Sequence, residues 1–153
     1  MAFCFDTSAL LECWSRSYPI DIFPGLWSRF DEMIAGGEIV APDEVHEEIK
    51  KKDDDLTKWV QSRSVMFAPL DAAVQRAASE TLTEFPELVK ALSNRNQADP
   101  FVVGLARVRG VTVVTQERGG TKAKPRIPAV CEHFKVECID VLGFIRLCGW
   151  TFE

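Results

Sequence analysis

VTVVTQERGG, residues 111–120, decides how this chain folds. Its first five residues are all β-branched and uncharged, which suits a strand buried on both faces. The run stops at Gln116 and Glu117, and a glycine pair closes the stretch. Just before it, ADPFVVGLARVRG (98–110) opens with Asp99-Pro100 and ends in glycine. A capping side chain followed by proline predicts a helix here, turning Phe101, Leu105 and Val108 inward. A helix feeding a continuously apolar strand is the repeating unit of a parallel sheet.

The same unit recurs toward the N-terminus. Ala2–Phe5 is a short apolar strand stopped by Asp6, after which Thr7 and Ser8 offer caps for a helix to about Trp14. The prolines of SYPIDIFPGLW (17–27) break the chain before a helix from about Leu26 to Ala35, ended by Gly36-Gly37. EIVAP (38–42) is a second strand, and Pro42-Asp43-Glu44 opens a helix with Val45 and Ile49 on one face. Lys50–Lys52 followed by Asp53–Asp55 marks a solvated helix end and the cap of the next helix. SVMFAPL (64–70) is a third strand, and Asp71 to about Phe85 a helix with Ala73, Ala77 and Leu82 on its apolar side. Toward the C-terminus, Arg118–Pro128 is a loop, VECIDV (136–141) a last strand and LGFIRLCGW (142–150) a closing helix. The expectation is one domain over residues 1–153: a three-layer α/β/α sandwich around a central, mostly parallel sheet.

Composition narrows the function classes. The 153 residues are 46% hydrophobic and 27% charged, with a formal net charge of −5. No bulk basic surface exists, so any nucleic-acid contact must use a local patch. Cys4, Cys13, Cys131, Cys138 and Cys148 form no CxxC pair and read as free thiols of a reducing cytosol. The start, MAFCFD, lacks a basic leader, and no stretch approaches the roughly 18 apolar residues of a membrane span. The expected location is cytoplasmic, with no membrane partner.

Four carboxylates fall where such a sheet opens its crevice, beyond the carboxyl ends of its strands: Asp6, Glu48, Asp99 and Glu117. Singly, each reads as a helix cap or a solvated acid. Gathered without partners they repel one another, and a bound cation relieves that repulsion. Oxygen ligands of this kind suit Mg²⁺ or Mn²⁺ and phosphate chemistry. Between positions 107 and 126, Arg107, Arg109, Arg118, Lys122, Lys124 and Arg126 face a single acid, Glu117. A flexible cationic loop there is expected to hold a phosphate backbone, with Arg118, Lys122 and Lys124 as contacts. Trp14, Trp27, Trp59 and Trp150 read as core or interface residues rather than base stackers. No phosphate-binding glycine motif is present, and HEEIK (46–50) lacks the second histidine of a zinc protease helix. Cys131, His133 and Cys138 have the wrong spacing for a zinc site, and His46 and His133 stand without a nucleophile elbow.

CFDTSALLE (4–12), VAPDEVHEEIKK (40–51), ADPFVVGLA (98–106) and VTVVTQE (111–117) resemble, in order and rough spacing, the four acidic motifs of PIN-domain nucleases. The closer likeness is to a PIN-like branch catalogued as a domain of unknown function, with a GWTFE-like ending, and it spans essentially the whole chain. The resemblance implies that Asp6, Glu48 and Asp99 are the first three metal carboxylates, with Glu44 or Glu47 as alternatives to Glu48. Glu117 stands where many PIN proteins have aspartate, which leaves open direct or water-mediated ligation. Thr7 and Thr115 match hydroxyl positions that orient carboxylates or phosphate. The likeness further implies an α/β/α sandwich, Mg²⁺- or Mn²⁺-dependent cleavage of RNA, a toxin held by a cognate antitoxin, and a homodimer. Two other readings stand beside it. One is a binding or regulatory module that keeps the scaffold without catalysis. The other, a phosphatase with Asp6 as nucleophile, is weakened because Thr-Ser-Ala follows Asp6 instead of a second acid two residues on.

Overall fold

A computed structural model describes residues 1–89 and 97–153. Among the described residues five strands form one sheet: β1 (Phe3–Phe5), β2 (Ile39–Pro42), β3 (Phe67–Ala68), β4 (Thr112–Val114) and β5 (Cys138–Ile139). Their spatial order is β3-β2-β1-β4-β5, and every neighbouring pair is parallel. The helices that cover it are α1 (Thr7–Leu11), α2 (Pro24–Ala35), α3 (Asp43–Lys50), α4 (Asp54–Gln61), α5 (Ala72–Glu84), α6 (Asp99–Arg109), α7 (Ile127–His133) and α8 (Val141–Cys148). The architecture is the three-layer α/β/α sandwich that the sequence predicts.

The central strand shows why both faces are covered. Side chains alternate along a strand. Phe3 and Phe5 point to one face, where Phe144 of α8 meets both rings at 4.8 and 5.0 Å between centroids. Cys4 points to the other face, where its thiol donates to Val102 O of α6. Trp14, Trp27 and Trp59 pack together between helices, with Trp27 and Trp59 buried, as their spacing predicts. All five cysteines are free thiols, three of them buried. Among the described residues no helix is long and apolar enough to cross a membrane.

Several elements differ from their sequence reading. Asp6, rather than Thr7 or Ser8, caps α1, its side chain accepting from Ala9 N–H. The chain then widens into a π-helical turn at Glu12–Ser17. The third strand shrinks to two residues, since Ser64–Met66 wind into a 3₁₀ turn and leave Val65 exposed. In α6 the buried residues include Val102, Val103, Leu105 and Ala106, while Val108 is 44% exposed. The reason is that α6 lies between the sheet and α5, so it buries a wider stripe than one apolar row. On α5 the inward residues are Val74, Ala77, Ala78 and Thr81, because only small groups fit where Gly104 of α6 crosses. Helix α7 begins at the end of the expected loop, at Ile127, and runs on through residues to which the sequence reading assigns no element. Its signal was Pro128 in the first turn with Ile127, Val130 and Cys131 at helical spacing.

Candidate active site

The strand order places the site. The chain runs outward from β1 through β2 to β3, then crosses back to add β4 and β5 on the other side of β1. That reversal opens a crevice at the carboxyl ends of β1 and β4. Asp6 follows β1 directly, and its N–H donates to Val114 O of β4 at 3.1 Å. Thr115 and Glu117 follow β4. Asp99 enters from the first turn of α6 and Glu48 from the inner face of α3.

Each carboxylate is held differently. Asp6, 1% exposed, accepts from Ala9 N–H at 2.8 Å and Ser8 Oγ at 2.7 Å through Oδ1, and from the Thr115 hydroxyl through Oδ2. Gln116 N–H donates to Ser8 Oγ at 3.0 Å, and Glu117 N–H to Thr115 Oγ1 at 3.1 Å. Two hydroxyls therefore lock the end of β4 onto Asp6. Glu48, 7% exposed, accepts from Thr7 Oγ1 at 2.5 Å and from Ala98 N–H at 3.1 Å, which ties α1 and α6 to α3. Glu117 Oε1 accepts from Ile127 N–H at the start of α7. Asp99 is 5% exposed, makes no side-chain cap for α6, and its Oδ2 is buried without a hydrogen-bond partner.

Electrostatics ties the four together. Burial pushes Asp99 well above the usual carboxylate range, and the charges of Glu117, Asp6 and Glu48 push it further. Burial likewise pushes Asp6 up to about 7, against the lowering effect of the Thr115, Ala9 and Ser8 hydrogen bonds; the Glu117 charge adds to the rise. Among the described residues no Lys or Arg forms an ion pair with either aspartate. Of the three glutamates on α3, Glu48 is the one whose charge acts on Asp99, whereas Glu47 pairs with Lys50 at 3.0 Å in solvent.

A pH dependence follows. A carboxyl whose pKa is raised by folding contributes stability below its unfolded pKa, and that contribution is lost as pH rises through the folded value. In EDTA, the protein is expected to lose on the order of 4 kcal/mol from Asp6 alone between about pH 4 and pH 7. Urea unfolding across that range checks this; the slope should shrink in Asp6→Asn, and an equal slope in both proteins refutes the assignment.

The donor set fits a hard divalent cation. It is all oxygen, and Asp99 Oδ2 is a buried lone-pair donor with nothing to bind. Among the described residues, however, no three His, Cys, Asp or Glu side chains stand close enough to enclose an ion as they are placed.

The predicted basic contacts separate. Arg118 is exposed and lines a groove of about 320 Å³ with Thr115, Glu117, Cys138 and Asp140. Lys122 is tied to Glu84 at 3.0 Å over the Phe85 ring, and Lys124 lies exposed in the same loop. The loop expected to be flexible is pinned, with Ala129 N–H donating to Gly119 O and Thr121 N–H to Lys124 O. Thr7 contacts Glu48, and Thr115 contacts Asp6. Sequence reasoning took Ser8 only as a cap and so missed its bridge from Asp6 to Gln116. Its signal was a hydroxyl two residues beyond a strand-end aspartate.

Residues 3–152 match a family described as "Domain of unknown function (DUF4411)". No curated protein matches the chain. Among solved structures, one of VapBC2 from Rickettsia felis bound to a DNA fragment from their promoter superposes with a TM-score of 0.48 at 14% identity. That superposition covers 92% of this chain and 98% of the other.

Proposed function

Since the chain belongs to the family described as a domain of unknown function, DUF4411, we propose from its site that it is a metal-dependent endoribonuclease. The observation that carries the reading is Asp99: a buried carboxylate with an unpartnered oxygen, beside three further acids. A divalent cation offsets such repulsion directly. The resemblance of the four acidic motifs to PIN-domain nucleases supports RNA as the substrate. It also supports a toxin role, with a cognate antitoxin as partner and a second copy of the chain in a homodimer.

Asp6, Asp99, Glu117 and Glu48 hold the cation in this reading. When bound, Mg²⁺ or Mn²⁺ neutralises charge on the attacked phosphate and acidifies a water. Ser8 and Thr115 fix the orientation of Asp6 through the hydroxyl bonds described above. Glu48 joins Thr7 to Ala98 and so keeps the start of α6, with Asp99, against the end of β1. The expected products are a 5′-phosphate and a 3′-hydroxyl.

Incubating the purified protein with single-stranded RNA tests this. Cleavage should require Mn²⁺ or Mg²⁺ and stop with EDTA, and calorimetry should show Mn²⁺ binding. The wide spacing of the acids favours one rival, a scaffold that binds without catalysis. Absence of Mn²⁺ heat and of cleavage, together with tight capture of a partner protein or RNA, would favour that rival instead.

A further inference from the structure

Glu117 lines two grooves, one with a single arginine and the other with two. One, of about 320 Å³, carries Arg118 but also Asp140, together with the apolar Pro128 and Ile139. The Asp140 carboxylate caps α8, accepting from Gly143 N–H at 2.8 Å, and lines that groove. The other groove, of about 370 Å³, lies between the π-helical turn and the loop before α7. It is lined by Ser8, Gln116 and Glu117, by Arg16 and Arg126, and by Leu11 and Glu12, the acid that approaches Arg16.

The two arginines are available. Arg16 is 79% exposed and only loosely approached by Glu12, at 3.8 Å. Arg126 is exposed and enters none of the ion pairs formed among the described residues. Its place is set by the backbone. Gly120 has φ of +103°, and a Cβ there would lie 2.6 Å from Arg126 N, so the loop folds back tightly only with glycine at 120. Guanidinium groups match phosphate geometry with paired N–H donors. Neither arginine was singled out among the expected substrate contacts, which fell on Arg118, Lys122 and Lys124.

We propose that Arg16 and Arg126 bind the phosphates of an RNA strand that leaves the acidic centre through the groove over Ser8 and Gln116. This rests on the ribonuclease reading. The strand's charged backbone lies on the two-arginine side of Glu117, and the Asp140 side, where a carboxylate opposes phosphate, receives sugar and base.

The test uses the full chain carrying Asp99→Asn, so that RNA is held without being cut, and a fluorescein-labelled single-stranded RNA read by anisotropy. The Arg16→Gln/Arg126→Gln pair should weaken binding about tenfold at low salt. It should also lower the slope of log affinity against log salt by about 1.4, two phosphates at about 0.7 each. Mn²⁺ affinity in the otherwise natural chain should stay unchanged. Arg76→Gln, on a separate groove of α5, serves as the control and should change affinity less than about twofold. If the double variant binds RNA as its parent does, or Arg76→Gln loses as much, the groove assignment is wrong while the ribonuclease reading stands. If the natural chain neither cleaves single-stranded RNA with Mn²⁺ nor binds it, the ribonuclease reading fails first and takes the groove with it.

Discussion

Asp99→Asn is expected to lower Mn²⁺-dependent RNA cleavage by about a thousandfold or more while making the metal-free protein more stable. The two effects share one cause. Asp99 is buried against Glu117, Asp6 and Glu48, and its Oδ2 has no donor to satisfy it. A neutral amide of the same shape removes one charge from the repulsion, and folding no longer has to desolvate that charge. The same change removes the oxygen best placed to bind a cation. Losing a residue that merely orients a ligand costs roughly 10- to 100-fold, so losing a ligand costs more. Asp99 is a cleaner probe than Asp6, whose carboxylate also caps α1 and takes the Ser8 and Thr115 hydroxyls. Rapid-quench cleavage and thermal unfolding in EDTA read the two halves separately. Full activity in the variant removes Asp99 from the site; lost activity with lost stability makes it a structural residue.

Gly104→Val should destabilise the fold by about 3 kcal/mol, lowering the melting temperature by roughly 6 to 12 °C. A Cβ at Gly104 would sit 3.0 Å from Ala78 N and 3.2 Å from Val74 O, both backbone atoms of α5 that cannot rotate aside. Gly104→Ala should cost less, because alanine restores about 1 kcal/mol of helix propensity against the same contact. The consequence reaches the crevice, since α6 carries Asp99 at its first turn. Pushing α6 off α5 strains the link from Ala98 N–H to Glu48, so Mn²⁺ affinity should fall along with stability. Calorimetry on the valine variant below its melting temperature checks this. Unchanged stability would mean that the two helices part more easily than their backbone contact implies.

The parts of the fold legible in the sequence are those whose signal is local. VTVVT reads as a strand and ADPFVVGLARVRG as a helix because burial on two faces and a 3.6-residue period leave marks within a dozen residues. The misreadings came where a neighbour outvoted the local pattern. Val108 sits on a helical row with Leu105 and Phe101, yet solvent rather than protein faces it. On α5 Ala77 is buried as expected, but Ala73 and Leu82 are only partly covered while Val74, Ala78 and Thr81 are buried, because a glycine on another helix demands close partners. Asp99 looked like a cap because Asp-Pro usually is one, but it is the first residue of α6, Ala98 holds the cap position, and no side chain caps the helix. Ser8 was hidden because its partner Gln116 lies 108 residues away.

By itself, the sequence determined an alternation of helices and doubly buried strands, hence a parallel sheet, and the position of acids just past the strands. Those follow from spacing and polarity over short windows. Only the tertiary structure decided that β4 returns beside β1, so that Thr115 reaches Asp6 across 109 residues and Glu117 faces Asp99. Strand order is chosen by the free energy of whole layers packing together, and no window of neighbouring residues carries that sum.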